Sequence, residues 1–93
     1  MEPIRFSGKI RYWNPGKASG LAVVDVPPAH VAALGGLRQA RVHGRIDGRD
    51  FTSSLMPAGS GRLALSVSKA MMNSAGIAVG QATSFEITGS DRE

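Results

Sequence analysis

The sequence predicts an all-β fold, a small closed barrel of about six strands with two short capping helices. Two observations carry this. Apolar and polar residues alternate with a period of two in several short runs, and turn chemistry interrupts those runs at intervals of about ten residues. Both helical stretches are short and fall between strands, which argues against a βαβ layout.

The first strand follows from Ile4, Phe6, Gly8, Ile10 and Tyr12 alternating with Arg5, Ser7, Lys9, Arg11 and Trp13, giving one apolar and one basic face. Asn14 to Gly20 is turn-forming, and Leu21 to Val26 reads as a more continuously buried strand that pairs with the first as a hairpin. Pro27 to Gly36 predicts a short helix, because proline is tolerated in a first helical turn and glycine supplies the left-handed stop. Val31 and Leu34, three apart, would lid one barrel end.

Asp47-Gly48 joins the next two strands as a tight hairpin, since both residue types accept the positive φ that such a turn demands. Val42, Gly44 and Ile46 then face one way, and Arg41, His43 and Arg45 the other. On the return strand Phe51, Ser53 and Leu55 oppose Thr52, Ser54 and Met56. After a turn over residues 58–61, Leu63, Leu65 and Val67 alternate as a fifth strand. Ser68 caps a second helix over residues 69–75 and Gly76 stops it. Thr83, Phe85 and Ile87 mark the last strand, leaving residues 89–93 as a polar tail.

Ninety-three residues are one domain, with the barrel over residues 4–88. The absence of cysteine excludes a disulfide scaffold and a thiolate metal site. No apolar run has signal-peptide or transmembrane character, so a cytoplasmic protein without a membrane partner is expected. The net charge of +4 is uneven: residues 1–69 hold ten basic and four acidic side chains, residues 70–93 one and three. Such asymmetry favours an acidic partner such as nucleic acid.

Arg5, Lys9 and Arg11 share one face of the first strand, and Arg41, His43 and Arg45 one face of the third. Were these strands neighbours, they would form a basic ridge suited to phosphates, with Trp13 placed to stack a base. The same rows also read as an ordinary solvated barrel face. Gly59-Ser60-Gly61-Arg62 resembles a small anion nest with Arg62 as clamp, and Ser68 and Lys69 would add donors. His43 has no carboxylate placed in sequence to orient it, and two histidines without cysteine do not make a zinc site. No catalytic residue, metal or cofactor is assigned.

A pattern of motifs adds to this reading. It comprises the first strand from Ile4 to Ile10, the Val26-Pro27 step, the hairpin from Val42 through Asp47-Gly48 to Pro57, and the Gly59-Ser60-Gly61 turn. The run Leu65 to Lys69 and the stretch Gly76 to Gly80 complete it. Over residues 4–88 the chain resembles an uncharacterised bacterial and archaeal domain-of-unknown-function family, often found beside a YdeI/OmpD-associated domain. The resemblance implies a double-split β-barrel of AbrB-like architecture and no activity. The chain departs from the family pattern at Gln81, where relatives carry Asp, and at Ala70 to Asn73, where they are basic.

The expected function is a non-enzymatic binding module with a basic outer face for an acidic partner. The alternative is a self-assembly or companion-domain module pairing through Val31/Leu34 and Met71/Met72, and the third reading is an enzyme joining His43 to the Gly59–Arg62 turn.

Overall fold

The computed structural model of the chain describes residues 3–14 and 20–91. Its strands are β1 (Ile4–Lys9), β2 (Arg11–Tyr12), β3 (Ala22–Val26), β4 (Ala40–Ile46), β5 (Arg49–Gly59), β6 (Arg62–Val67) and β7 (Ala82–Asp91), with one helix, α1 (Lys69–Ala75). They form a single antiparallel sheet of seven strands in the order β1-β7-β4-β5-β6-β3-β2, curled into a barrel-like shape.

The sheet curls because its two edges are halves of one strand. β1 pairs with β7 and β2 with β3, and only Ile10 separates them. Ile10 is completely buried; its N–H donates to the Gln81 carbonyl at 3.0 Å, and its carbonyl accepts from the Gly80 N–H at 2.8 Å. The predicted hairpin between the first two strands is therefore confined to Arg11–Tyr12, and the strand count rises from six to seven. Between the two pairings β1 passes close to β3: a β-carbon on Gly8 would stand 2.5 Å from the Val24 side chain.

The first predicted helix does not form. Residues 27–36 hold one 3₁₀ turn, Pro28–His30, followed by further turns. The N–H groups of this stretch mostly close tighter turns, His30 on Pro27, Val31 on Pro28 and Gly35 on Ala32, and Gly35 and Gly36 both take positive φ. Its lidding role survives: Leu34 is 1% exposed within the core, Val31 packs against it, and His30 lies 6.4 Å from the Phe6 ring. α1 forms as expected. The Ser68 hydroxyl accepts the Met71 N–H at 3.1 Å, the Met71 sulfur accepts the Ser68 N–H, and Gly76 ends the helix in the left-handed region.

The Asp47-Gly48 hairpin is as expected, with φ of 49° and 81° at its two turn residues. Val42, Gly44 and Ile46 are buried while Arg41, His43 and Arg45 are exposed. The last strand outruns its prediction, carrying Gly89, Ser90 and Asp91 alongside β4, so these residues are not a tail. It also contains a bulge: His43 lies opposite Gly89 but Gly44 opposite Ile87, leaving Thr88 extra. The Thr88 hydroxyl donates to the His43 carbonyl at 3.2 Å. The core on the concave side is apolar throughout, built on Phe85, Ile10, Leu34, Ile46, Leu55, Leu63, Leu65 and Ile87.

Candidate functional site

Strand order decides the fate of the basic ridge. β1 and β4 are not neighbours, because β7 lies between them. The cross-strand row running over β1, β7, β4 and β5 is therefore Arg5, Glu86, Arg45 and Asp50, a ladder of alternating sign. Arg5 Nε meets Glu86 Oε2 at 2.8 Å, Arg45 Nη1 lies 3.7 Å from Glu86 Oε1, and Arg45 Nε lies 3.4 Å from Asp50 Oδ1. Glu86 is the hub of this row, and its side chain is only 17% exposed. Its outward direction follows from its place between Phe85 and Ile87, but its position between two arginines depends on long-range strand order.

Arg11 is also removed from any free ridge. It stands on β2 and makes a two-pronged ion pair with Asp25 of β3, both contacts at 2.8 Å. Val23, directly opposite Arg11, is completely buried although it lies outside the core cluster. The Asp25 carboxyl is held below its ordinary range, first by the hydrogen bond from Arg11, against the opposing effect of burial, with the Arg11 and Arg62 charges adding to the lowering. The same hydrogen bond from Asp25 raises the Arg11 guanidinium.

A group depressed on folding stabilises the native state above its unfolded pKa of about 3.9 and loses that contribution as pH falls through the native value. Both partners are part-exposed, so the effect is about 1 kcal/mol or less. Urea unfolding at neutral pH and near pH 3 should therefore show Asp25→Asn losing less stability on acidification than the parent. An identical acid loss in both would remove Asp25 from the acid response.

The remaining site residues are scattered. Lys9 closes β1 opposite Ala82. Trp13, 37% exposed, donates its backbone N–H to the Leu21 carbonyl at 2.7 Å just past β2. Arg41 lies between Ser54 and Asp91 in the sheet. The His43 ring lies over Gly89, occupying space a β-carbon there would need. With Arg45, Asp50, Thr52 and Thr88 it borders an open hollow of about 350 Å³. Arg62 opens β6.

The enzyme reading does not find its pocket. His43 pairs with Thr52, roughly 20 Å along β5 from Gly59, and the His43 hollow contains no residue of the Gly59–Arg62 turn. Ser68 and Lys69 lie beyond the far end of β6 from Arg62, about 17 Å away, so they add nothing to that turn. The self-assembly faces are altered too: Leu34 and Met71 are core residues, and only Val31 and Met72 of the named four are part-exposed. Among the described residues no group of three or more His, Asp or Glu side chains could hold a metal, and no helix is long and apolar enough to cross a membrane.

The sequence pattern of the family described as "Domain of unknown function (DUF1905)" matches residues 6–87, nearly the whole chain. The chain belongs to this family. The DUF1905 match runs from Phe6 on β1 to Ile87 on β7, and so takes in β2 to β6, α1 and most of β1 and β7. No curated protein matches the chain.

Proposed function

We propose that the domain is a non-enzymatic binding module, built on a double-split barrel, that meets an acidic partner, with nucleic acid the leading candidate. The observation that carries this reading is where unpaired positive charge collects. Lys9, Arg38, Arg41, Arg49, Arg62 and Lys69 form no ion pair among the described side chains. Three of them lie at strand ends: Arg38 precedes β4 by two residues, Arg41 is its second residue, and Arg62 opens β6 opposite Gly59 of β5. All three stand toward one end of the β4–β5–β6 segment, where Asp25 is already held by Arg11. The interface is thus centred away from Arg5 and Arg45, two members of the ridge expected from sequence, which pair with Glu86 instead. A cytoplasmic location, a bacterial or archaeal source and a companion domain beside this one belong to the same proposal.

Phosphate contacts release counterions, so affinity for single- or double-stranded oligonucleotides should fall steeply with salt. Fluorescence anisotropy should show Arg41→Ala and Arg62→Ala each lowering the salt slope by about 1. Arg5→Ala, whose partner is Glu86, should change it less. Failure of both probe types to bind at low salt would sink the reading.

A further inference from the structure

A groove beside α1 carries chemistry unrelated to the basic end of the sheet. Its floor and walls come from two elements that the sequence does not visibly connect. Tyr12 and Leu21 project from the β2–β3 pair, and Met72 and Val79 from α1 and the loop after it. The hollow is about 460 Å³, and a second of about 330 Å³ continues it past the same Tyr12, Met72 and Val79. Such volumes lie in the range of small-molecule sites, which are typically apolar with a few placed polar groups.

Lys69 borders both hollows. It lies three residues before Met72, so the two share one helix face a turn apart, while Met71 takes the core side. The Lys69 ammonium has no ion pair among the described residues. Among the described residues no acidic side chain borders either hollow. Among the described residues the site is therefore a largely apolar trough with one cation at its lip, and its wall includes an adaptable thioether.

We infer that this groove binds a medium-chain acyl carboxylate, its tail along Tyr12, Leu21, Met72 and Val79 and its carboxylate at Lys69. The carboxylate end follows from the unpaired ammonium, and the chain from the apolar walls. A cationic amphiphile of equal length would meet like charge.

NMR titration of the intact chain with decanoate, below its micelle concentration, tests this. Saturable shifts should centre on Tyr12, Leu21, Met72 and Val79. Decyltrimethylammonium should bind at least tenfold more weakly, and acetate should leave those signals unmoved. Lys69→Glu should abolish the preference for decanoate and Lys69→Arg should retain it; both changes are at an exposed helix position and leave the core intact. Equal affinity for the two decyl compounds, shifts centred elsewhere, or an unchanged preference in Lys69→Glu would each overturn the assignment.

Discussion

Gly44→Ala should destabilise the domain by about 3 kcal/mol or more, against small losses for changes on the exposed face of the same sheet. Gly44 lies in the interior of β4, paired on one side with Phe51 and on the other with Ile87. At this level β7 is pinched by the Thr88 bulge, so its backbone crosses where a side chain would otherwise stand. A β-carbon on Gly44 would fall on the Glu86 carbonyl oxygen and 2.9 Å from the Ile87 α-carbon. Neither obstacle is the flexible end of a side chain, and moving either means breaking the ladder between β4 and β7. For a domain of this size that loss corresponds to a fall in Tm on the order of 15 °C. Thermal and urea unfolding measure it, with Thr52→Ala on β5 as an exposed comparison expected within about 0.5 kcal/mol of the parent. A loss below about 1 kcal/mol for Gly44→Ala would mean that β7 does not cross there.

The same hairpin shows how much of the fold was legible from sequence. Around Asp47-Gly48 the facing of nearly every side chain follows from turn chemistry plus alternation, both local signals, and Arg45 meets Asp50 across the turn. Alternation also gives β1 its basic face correctly. It cannot show that β1 leaves the sheet edge at Ile10 and resumes as β2 on the opposite edge, because each half keeps the same period. Nor does it place β7 between β1 and β4. That single non-local fact converts a ridge of like charge into a ladder with Glu86 at its centre.

Two other misses have different causes. Gly89 and Ser90 extend β7 without any apolar residue to announce a strand, since their pairing with β4 is backbone hydrogen bonding. Residues 27–36 carry helix-compatible composition, but their N–H groups mostly close short turns, as Val31 does on Pro28 and Gly35 on Ala32, while Leu34 packs into the core. The groove beside α1 was out of reach for a third reason. Tyr12 and Met72 are sixty residues apart, and nothing local to either marks a shared cleft.

Phe85→Ala should be the most damaging truncation of the concave side, at about 3–5 kcal/mol. Phe85 is 2% exposed and stands on β7, opposite Phe6 on one flank and Ile46 on the other. Its ring stacks on Phe6 at 5.4 Å and 17°, and Phe6 in turn meets His30 from the turn that lids the core. Truncation removes the stack on Phe6 and opens a cavity beside it. The loss should not be spread evenly. β1 draws its ladder hydrogen bonds from β7 alone, so hydrogen exchange should show β1 amides losing protection ahead of those in β5 and β6. Through Ile10 the loosening reaches Tyr12, which joins the aromatic core to the groove by one short strand. Phe85→Leu, which keeps most of the volume, should cost about 1.5 kcal/mol or less and leave β1 protected. Uniform loss of protection across all strands in Phe85→Ala would show that β1 is no weaker a seam than the rest of the sheet.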